Sequence, residues 1–341
     1  MIDSCYVGDV RDGLRAMIAS GVRAQTCITS PPYWGLRDYG VAGQIGLEPT
    51  IAEYVQTMVA VFRLVRDVLA DDGTLWLNLG DSYAAGGRGG GGSYMAERKD
   101  AAWQSRSAVN GWRSATDGLK SKDLCGIPWR VAFALQADGW WLRQDIIWSK
   151  PNPMPESVTD RCTKAHEYLF LLSKRERYYC DMEAIMEPSV ALVPEPTTAG
   201  WATGEGPHLS VAHARDKGDA RTFRGGGKYV NGRAKTPDIV PRESRGNADA
   251  IRAERNRRSV WQIATEPYPD AHFATFPTAL VEPCILAGSR TGDIVLDPFM
   301  GSGTVAQVAQ SLGRRWVGCE LNPAYVAMHK TRAAQRGLVL A

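Results

Sequence analysis

Residues 293–313 constrain the fold more than any other part of this chain. Here the apolar run IVL leads through DPFMGSGT into the helical pattern TVAQVAQSLG. Glycines at a strand-to-helix turn let the backbone approach a ligand closely, and the start of the helix offers free N–H groups. The next apolar run, RRWVGCEL, brings Glu320 to its end, where a carboxylate can accept both hydroxyls of a ribose. These features favour an α/β sheet with a nucleoside-containing cofactor at the turn.

The glycine turn alone leaves several interpretations open. With Ala306 it reads G-x-G-x-x-A, so its spacing does not exclude a dinucleotide. It lacks the Gly-Lys-Ser/Thr ending of a nucleoside triphosphate loop, which argues against that class of ligand. A tight structural turn without a ligand is the remaining interpretation.

Strand-like and helix-like segments alternate along the rest of the chain. Strands are predicted at SCYVGDV, AQTCITS, TLWLNLG, WLRQDIIWSK and HEYLFLLSK. Helices are predicted near residues 13–19 and at IAEYVQTMVAVFRLVRDVLA, GIPWRVAFALQADGWW and PTALVEPCILAG. The second of these helices is expected to end at Asp72-Gly73. This order indicates one α/β domain.

Two stretches interrupt the alternation. Residues 84–122 contain GGRGGGG and are predicted to form a long mobile loop. In residues 183–262 Pro, Gly and Arg dominate, with a basic run between 215 and 258, which predicts a small module or a partly disordered insert.

Bulk properties narrow the class. The 341 residues carry a net charge of only +3, which neither demands nor excludes nucleic acid. The seven cysteines contain no CxxC pair, so we expect reduced thiols and no metal. No apolar run approaches the roughly 20 residues of a membrane span, and the N-terminus lacks a signal core. A cytoplasmic protein is the expectation.

A second motif, TSPPYW at residues 29–34, follows the predicted strand AQTCITS. Two successive prolines fix φ twice and hold the backbone carbonyls in set directions. The Ser30 hydroxyl and the Pro31 carbonyl can both accept hydrogen bonds, and Tyr33 offers a flat face. This arrangement suits a planar substrate that bears an amino group.

Together, TSPPYW and DPFMGSGT resemble the amino-methyltransferases that modify exocyclic nitrogens of DNA bases. The catalytic motif precedes the cofactor motif, as in the permuted β class. GDSY, IIWSKPNPMPES, RCTKAHEYLFLLSK and HFATFPTALVEPCI also resemble segments of this family. The resemblance implies a Rossmann-like, mostly parallel seven-stranded sheet with helices on both faces. It divides the chain into a catalytic half at 1–182, a target-recognition region at 183–262 and a cofactor-binding half at 263–341.

Site residues follow from the resemblance position by position. The catalytic loop is expected at Ser30, Pro31, Pro32 and Tyr33. S-adenosylmethionine is expected to be bound by Asp297, Phe299, Gly301, Ser302, Gly303 and Thr304, with Glu320 on the ribose and Asn322 beside it. Further contacts are expected from Phe273 and Thr275 at its methionine end and from Asp9 at its adenine.

The implied reaction is direct methyl transfer to the amine of a base flipped out of double-stranded DNA, with Tyr33 and Trp34 replacing the lost stacking. Ser before Pro-Pro-Tyr is the version usually linked to N4 of cytosine, whereas N6-adenine enzymes more often carry Asp or Asn. N4-cytosine is therefore the leading assignment and N6-adenine the alternative. More distant alternatives are methylation of a protein glutamine or an RNA base, and a DNA-binding protein without activity.

A cytosine ring-carbon methyltransferase would need a cysteine nucleophile after a proline. Pro283-Cys284 is the only candidate and lies inside a predicted helix, so we expect Cys284 to serve packing. A homodimer and a cognate restriction enzyme are the further partners that the resemblance suggests.

Overall fold

The computed structural model describes residues 2–36, 38–84, 118–189, 254–266 and 276–334. Contacts divide the chain into two compact units. Residues up to Met186 and from Asn256 onward form the larger unit, and residues 187–255 form the smaller one. Within the described residues, no helix has the length and apolar character that a bilayer crossing requires.

The larger unit is built on one eight-stranded sheet. Its strands are β1 (Ser4–Val7), β2 (Ala24–Thr29), β3 (Leu69–Leu79), β4 (Trp141–Ser149), β5 (His166–Ser173), β8 (Val260–Gln262), β9 (Ile294–Asp297) and β10 (Arg315–Glu320). Their order in the sheet is β1-β10-β9-β2-β3-β5-β4-β8. Neighbouring strands are parallel except at β5, which runs antiparallel to β3 and β4. The expectation of a mostly parallel α/β sheet is confirmed.

Within the described residues, the sheet has one strand more than the seven expected. Strand β8 pairs with β4 in parallel, from Ile147 opposite Val260 to Ser149 opposite Gln262. Trp261 at its centre is 4% exposed and lies 6.4 Å from the ring of Trp76. A three-residue strand shows no period along the sequence, so sequence patterns do not predict it.

In the smaller unit the structure describes one short antiparallel pair. Strands β6 (Glu187–Pro188) and β7 (Glu254–Arg255) pair with each other, and the Arg255 guanidinium donates to the Glu187 carboxylate at 2.9 Å. Of the predicted recognition region at 183–262, residues 190–253 lie outside the described residues.

The predicted loop 84–122 also lies largely outside the described residues. Its described ends are held together, because the backbone N–H of Ala84 donates to the carbonyl of Asp123 at 2.8 Å. The N–H of Lys122 donates back to the carbonyl of Ala84 at 2.7 Å.

Helices cover both faces of the sheet. They are α1 (Val10–Ala19), α2 (Ile51–Val68), α3 (Ile127–Ala137), α4 (Thr278–Gly288), α5 (Thr304–Ser311) and α6 (Pro323–Ala334). Side chains of successive strand residues point to opposite faces. Accordingly Cys27 and Leu75 pack in a core with α1, α2 and α3, whereas Ile28 and Trp76 pack in a second core with α4 and α5.

The end of α2 differs from the expectation. The helix stops at Val68 instead of Asp72-Gly73, and β3 starts at Leu69. Leu69 is fully buried and pairs with Ala24, while Thr74 pairs with Thr26, so extra β3 residues form a bulge between them. Burial of Leu69 in the sheet explains why helical periodicity overestimates the length of this helix.

The topology brings the carboxyl ends of β1, β2, β3, β4, β9 and β10 to one edge of the sheet. The antiparallel β5 starts at that same edge, at His166. Ligands of open α/β sheets bind outside the carboxyl ends of the strands.

Because the strands beneath this edge are closely packed, one added methyl group is expected to lower the free energy of unfolding strongly. A Cβ at Gly318 in β10 would lie 2.3 Å from the Asp297 carbonyl oxygen and 2.4 Å from the Met300 side chain. Gly318→Ala is therefore expected to reduce the free energy of unfolding by about 3 kcal/mol or more, by overpacking. Chemical denaturation followed by circular dichroism measures it.

Gly292→Ala is the control, because its φ of 87° strains alanine while the space around it is open. Its expected cost is about 1 kcal/mol. Equal costs for the two variants would contradict the packing argument.

Candidate active site

Both sequence motifs line a single pocket of about 300 Å³ at the carboxyl edge of the sheet. From the predicted catalytic loop it includes Ser30, Pro31, Pro32 and Tyr33. From the predicted cofactor residues it includes Asp9, Asp297, Phe299, Gly301, Ser302, Thr304, Glu320 and Asn322. The sheet thus joins two motifs that are more than 260 residues apart in sequence.

Two predicted residues, Gly303 and Trp34, are placed differently from the expectation, and two others are not described. Gly303 lies behind the pocket wall, where a Cβ would be 2.8 Å from the imidazole ring of His329. Phe273 and Thr275 lie outside the described residues. The proposed stacking role of Trp34 is wrong for this structure, because its side chain is 4% exposed in the core and donates its indole N–H to the Glu48 carbonyl.

The turn after β9 is held by Glu320. One carboxylate oxygen accepts from the Gly301 N–H at 2.7 Å and the other from the Asn322 N–H at 2.8 Å. Gly301 and Gly303 adopt φ values of 51° and 87°, which side chains rarely tolerate. Burial raises the pKa of Glu320, and the backbone hydrogen bonds oppose that shift.

The same carboxylate has acceptor capacity left over. An ionised carboxylate offers about four lone-pair positions, and the two N–H groups use two of them. The other two suffice for both hydroxyls of a ribose. Since Phe299 and Tyr325 add aromatic faces to the same wall, these residues fit a nucleoside-containing cofactor.

His329 supports the glycine turn from behind. Its Nε2 lies 2.8 Å from the carbonyl oxygen of Gly301, and because a carbonyl only accepts, Nε2 is the donor. The ring also fills the space next to Gly303. The sequence pattern does not reveal this residue, which lies in α6.

Asp297 links the cofactor turn to the catalytic strand. Its Oδ1 accepts from the Thr29 hydroxyl at 2.7 Å and from the Phe299 N–H at 3.0 Å. Burial raises the pKa of Asp297 to about 7, although both hydrogen bonds lower it. Asp297 therefore ties together the ends of β9 and β2.

Asp9 caps α1 as well as lining the pocket. Its Oδ1 accepts from the Arg11 backbone N–H at 2.7 Å, and its carboxylate forms an ion pair with the Arg11 guanidinium. The hydrogen bonds from the Arg11 side chain hold the pKa of Asp9 below its usual value, against a smaller opposing effect of burial. Asp9 thus has a helix-capping role in addition to its place in the pocket wall.

On the opposite wall, the catalytic turn is fixed from both sides. The Tyr54 hydroxyl, from α2, donates to the Pro32 carbonyl at 2.9 Å. Gly46 packs closely enough that a Cβ there would lie 3.1 Å from the Tyr33 carbonyl oxygen. The double proline is thus pre-set, and the Ser30 side chain faces the pocket.

Polar residues that sequence reasoning did not single out complete this wall. The Tyr33 hydroxyl lies 2.7 Å from Glu167 Oε2 and 3.0 Å from Asn78 Oδ1, and Glu167 forms an ion pair with Lys150. Asn78 lies in β3, Lys150 follows β4 and Glu167 lies near the start of β5. The segments of Lys150 and Glu167 belong to the resemblance, but only strand pairing shows that these residues and Asn78 lie together beside Ser30.

Within the described ranges, no group of three or more His, Cys, Asp or Glu side chains is arranged to bind a metal ion. All seven cysteines are free thiols. Burial raises the pKa of Cys27 beneath the pocket and of Cys319 in its wall, which keeps these thiols protonated.

Comparison with known proteins identifies relatives across nearly the whole chain. The profile of the N6_N4_Mtase family, described as DNA methylase, matches residues 24–331. The Type II methyltransferase M.SmaI of Serratia marcescens is 43% identical over 336 residues, which cover 97% of this chain and 90% of that protein.

Solved structures share the fold. The PvuII DNA methyltransferase, described as cytosine-N4-specific, aligns with a TM-score of 0.56 at 18% identity, covering 97% of this chain and 86% of that one. A complex of TTHA0409 from Thermus thermophilus with S-adenosyl-L-methionine aligns with a TM-score of 0.51 at 21% identity, covering 97% and 93%.

Asp297 generates a prediction about pH. Its folded-state pKa of about 7 lies above the ordinary value of 3.8, so the folded state binds the proton more tightly than the unfolded state. This contribution to stability is complete below pH 4 and is lost as the pH rises toward 7. Asp297→Asn should therefore gain stability relative to wild type as the pH rises over that range, by a few kcal/mol at most.

Urea denaturation at several pH values measures this difference. A constant difference between Asp297→Asn and wild type from pH 4 to pH 8 would contradict the assigned pKa.

The His329 contact generates a prediction about the cofactor that the resemblance implies. His329→Leu removes the donor to Gly301, whereas His329→Gln offers an amide N–H in its place. We expect the leucine variant to bind S-adenosylmethionine about 5- to 10-fold more weakly, as for the loss of one hydrogen bond, and the glutamine variant to bind more tightly than the leucine variant. Isothermal titration calorimetry measures both, and unchanged affinity in His329→Leu would exclude the supporting role.

Proposed function

This chain belongs to the N6/N4 DNA methylase family, and we propose that it transfers a methyl group from S-adenosylmethionine to the N4 amine of cytosine in duplex DNA. The observation that carries the proposal is the placement of Ser30 in the same pocket as the Glu320-braced glycine turn. Ser30 is the variant of the catalytic motif linked to cytosine N4. Adenine N6 is the second candidate, since the family includes both.

The amine of a base is a weak nucleophile because its lone pair is delocalised into the ring. In the proposed reaction the Ser30 hydroxyl and the Pro31 carbonyl accept hydrogen bonds from the two amine N–H groups and draw the nitrogen toward tetrahedral geometry. A nitrogen–methyl bond would form as the sulfur–methyl bond breaks, and the surplus amine proton would pass to solvent. The lone pair is then localised toward the methyl donor. Because the bound methyl group is already activated by its cofactor, the protein contributes mainly alignment and exclusion of water.

The residues proposed to hold S-adenosylmethionine are those of the glycine turn and its neighbours. Glu320 would accept the ribose hydroxyls, and Phe299, Gly301, Ser302 and Thr304 of the turn line the same space. Asp9 is proposed at the adenine, and Asn322 beside the ribose. Phe273 and Thr275 are proposed at the methionine end. The solved S-adenosyl-L-methionine complex of TTHA0409 has the same fold and is compatible with this assignment.

A ring-carbon mechanism is poorly supported by Cys284. Its thiol is fully buried in α4 and donates to the Leu280 carbonyl at 3.2 Å. Burial raises its pKa well above the ordinary value, which disfavours the thiolate that such a mechanism needs. The packing role predicted for Cys284 is consistent with this environment.

The DNA is proposed to contact the recognition region at 183–262 through the basic run between 215 and 258, since phosphate contacts supply most non-specific affinity. The target base would leave the duplex and stack on Tyr33. A cognate restriction enzyme, a homodimer and a location in the cytoplasm complete the proposal. M.SmaI is named a Type II methyltransferase, which is compatible with such a partner.

Nucleoside mass spectrometry tests the base assignment. Unmethylated DNA is incubated with the protein and S-adenosylmethionine, digested and analysed, and N4-methylcytosine is the expected product. N6-methyladenine would overturn the cytosine assignment while leaving the family intact. Absence of any methylated base, with a control enzyme active, would overturn the proposed function.

Ser30→Ala tests the catalytic role. The variant should lower kcat by about 100-fold, as for the loss of one positioned hydrogen-bond group in the transition state. Binding of S-adenosylmethionine should stay within twofold of wild type, because Ser30 lies on the opposite wall. Cys284→Ser is the companion variant and should still methylate DNA. A folded Cys284→Ser variant without activity would instead support a cysteine nucleophile.

A further inference from the structure

The catalytic wall contains more polar side chains than are needed to hold a flat ring. Four polar side chains converge behind Ser30: Tyr33, Asn78, Glu167 and Lys150. Lys150 and Glu167 expose only 17% and 16% of their side chains. Since burial of charge is costly unless it is paired, such a pair beside a substrate pocket calls for a functional explanation.

The pair is anchored on its far side. Lys150 Nζ bonds to Glu167 Oε1 and lies 4.2 Å from the centroid of the Trp148 ring. An ammonium only donates, so Oε1 is committed as an acceptor. Glu167 Oε2 is thereby left facing Tyr33 and Asn78.

Glu167 in turn fixes the orientation of the Asn78 amide. Asn78 Nδ2 lies 3.2 Å from Glu167 Oε2 and 3.3 Å from the Tyr168 carbonyl oxygen. Both of these partners only accept, so the amide nitrogen must face them. Asn78 Oδ1 consequently faces Ser30 and Tyr33.

The direction of the remaining hydrogen bonds follows. The Tyr33 hydroxyl has one proton, and the carboxylate at 2.7 Å is a shorter and stronger acceptor than Asn78 Oδ1 at 3.0 Å. Ser30 Oγ then has only acceptors behind it, Asn78 Oδ1 and Tyr33 Oη, each at 3.4 Å. These contacts are long, as catalytic hydrogen bonds often are before substrate binds.

We propose that Glu167, held by Lys150, sets the hydrogen-bond polarity of Ser30 through Asn78 and so makes the pocket select an amino group over a carbonyl group. With its own proton turned away from the pocket, Ser30 presents lone pairs to the base. An exocyclic amine donates to them, whereas the O4 carbonyl of uracil meets another acceptor. Glu167 and Asn78 are positioning residues in this arrangement.

This inference rests on the proposed function, because it concerns the base that enters that pocket. It adds a specificity that the catalytic loop does not provide alone, since a serine hydroxyl in isolation both donates and accepts. Sites built to bond a polar group reject analogues that leave their own groups unpaired. The discrimination should therefore depend on residues that never touch the base.

Glu167→Gln is the test variant, and Lys150 makes it informative. The ammonium holds the new amide oxygen on its own side, which turns the glutamine N–H groups toward Asn78 Nδ2. Two donors then face each other at about the present 3.2 Å. Rotation of the Asn78 amide relieves this conflict but turns Oδ1 toward the Tyr168 carbonyl oxygen, so neither orientation of the amide is fixed any longer. In the rotated orientation Nδ2 lies next to Ser30 and the serine proton turns into the pocket.

The measurement compares two DNA duplexes that carry the site mapped for wild type, one with the target cytosine and one with uracil in its place. Affinities for both are determined with S-adenosylhomocysteine bound, and the preference is their ratio. Uracil opposite guanine flips more easily than cytosine, but that difference cancels when the preferences of two variants are compared.

We expect Glu167→Gln to reduce the preference for cytosine by at least 10-fold relative to wild type. Asn78→Leu, which removes the acceptor that Glu167 orients and leaves Ser30 only the Tyr33 oxygen, should also reduce the preference. Tyr33→Phe should keep the preference, because Glu167 and Tyr168 still orient Asn78 without the phenol. Glu282→Gln, at an exposed position of α4, is the matched control and should match wild type throughout.

A preference within twofold of wild type in Glu167→Gln, in protein that melts as one cooperative unit, would overturn the inference. Loss of preference in Tyr33→Phe but not in Asn78→Leu would overturn it as well, since the polarity would then be set by the phenol. If Glu167→Gln does not fold, the contrast between Asn78→Leu and Tyr33→Phe decides alone. Failure of wild type to methylate DNA would count against the proposed function, whereas methylation with unchanged preferences would count against this inference only.

Discussion

The buried hydrogen bond from Thr29 to Asp297 is the contact on which the site depends. It joins the ends of β2 and β9, adjacent parallel strands whose following turns carry the two motifs. Asp297 also accepts from the Phe299 N–H, so one carboxylate fixes the start of the cofactor turn relative to the catalytic strand. Because the sheet beneath is closely packed, a shift of either strand would move both walls of the pocket together.

Polar groups at the sheet edge are largely satisfied before any ligand binds. Glu320 accepts from two backbone N–H groups, Asp9 caps α1, and Tyr54 holds the Pro32 carbonyl. Because these hydrogen bonds already fix the side chains and turns, less conformational entropy is lost when a ligand binds, which favours affinity. They also explain why acidic side chains are tolerated in a half-buried wall: each is bonded to fixed donors.

Sequence reasoning predicted local structure best where the signal lies within a short segment of the chain. The glycine turn, the double-proline turn and the amphipathic helix α2 each carry their signal within about 20 residues, and the structure places the two turns in one pocket. It failed where structure depends on pairing between distant segments. Strand β8 is too short to show a period in the sequence. Leu69 belongs to the sheet and not to the helix because it pairs with Ala24. The Trp34 side chain lies in the core, where it donates to the Glu48 carbonyl.

The Asn78–Glu167–Lys150 group could not be predicted for the same reason, and its origin is topological. Because β5 runs antiparallel to its neighbours, its first residues reach the edge where the other strands end, so Glu167 from its start meets Lys150 after β4 and Asn78 near the end of β3. A fully parallel sheet would bring only strand ends to this edge. Replacing a buried ion pair by apolar residues is often neutral for stability, so stability alone is a weak reason to retain this one. Its position behind Ser30 supplies a better reason, because a charged acceptor fixed at one end of a chain of hydrogen bonds dictates the direction of every bond along it.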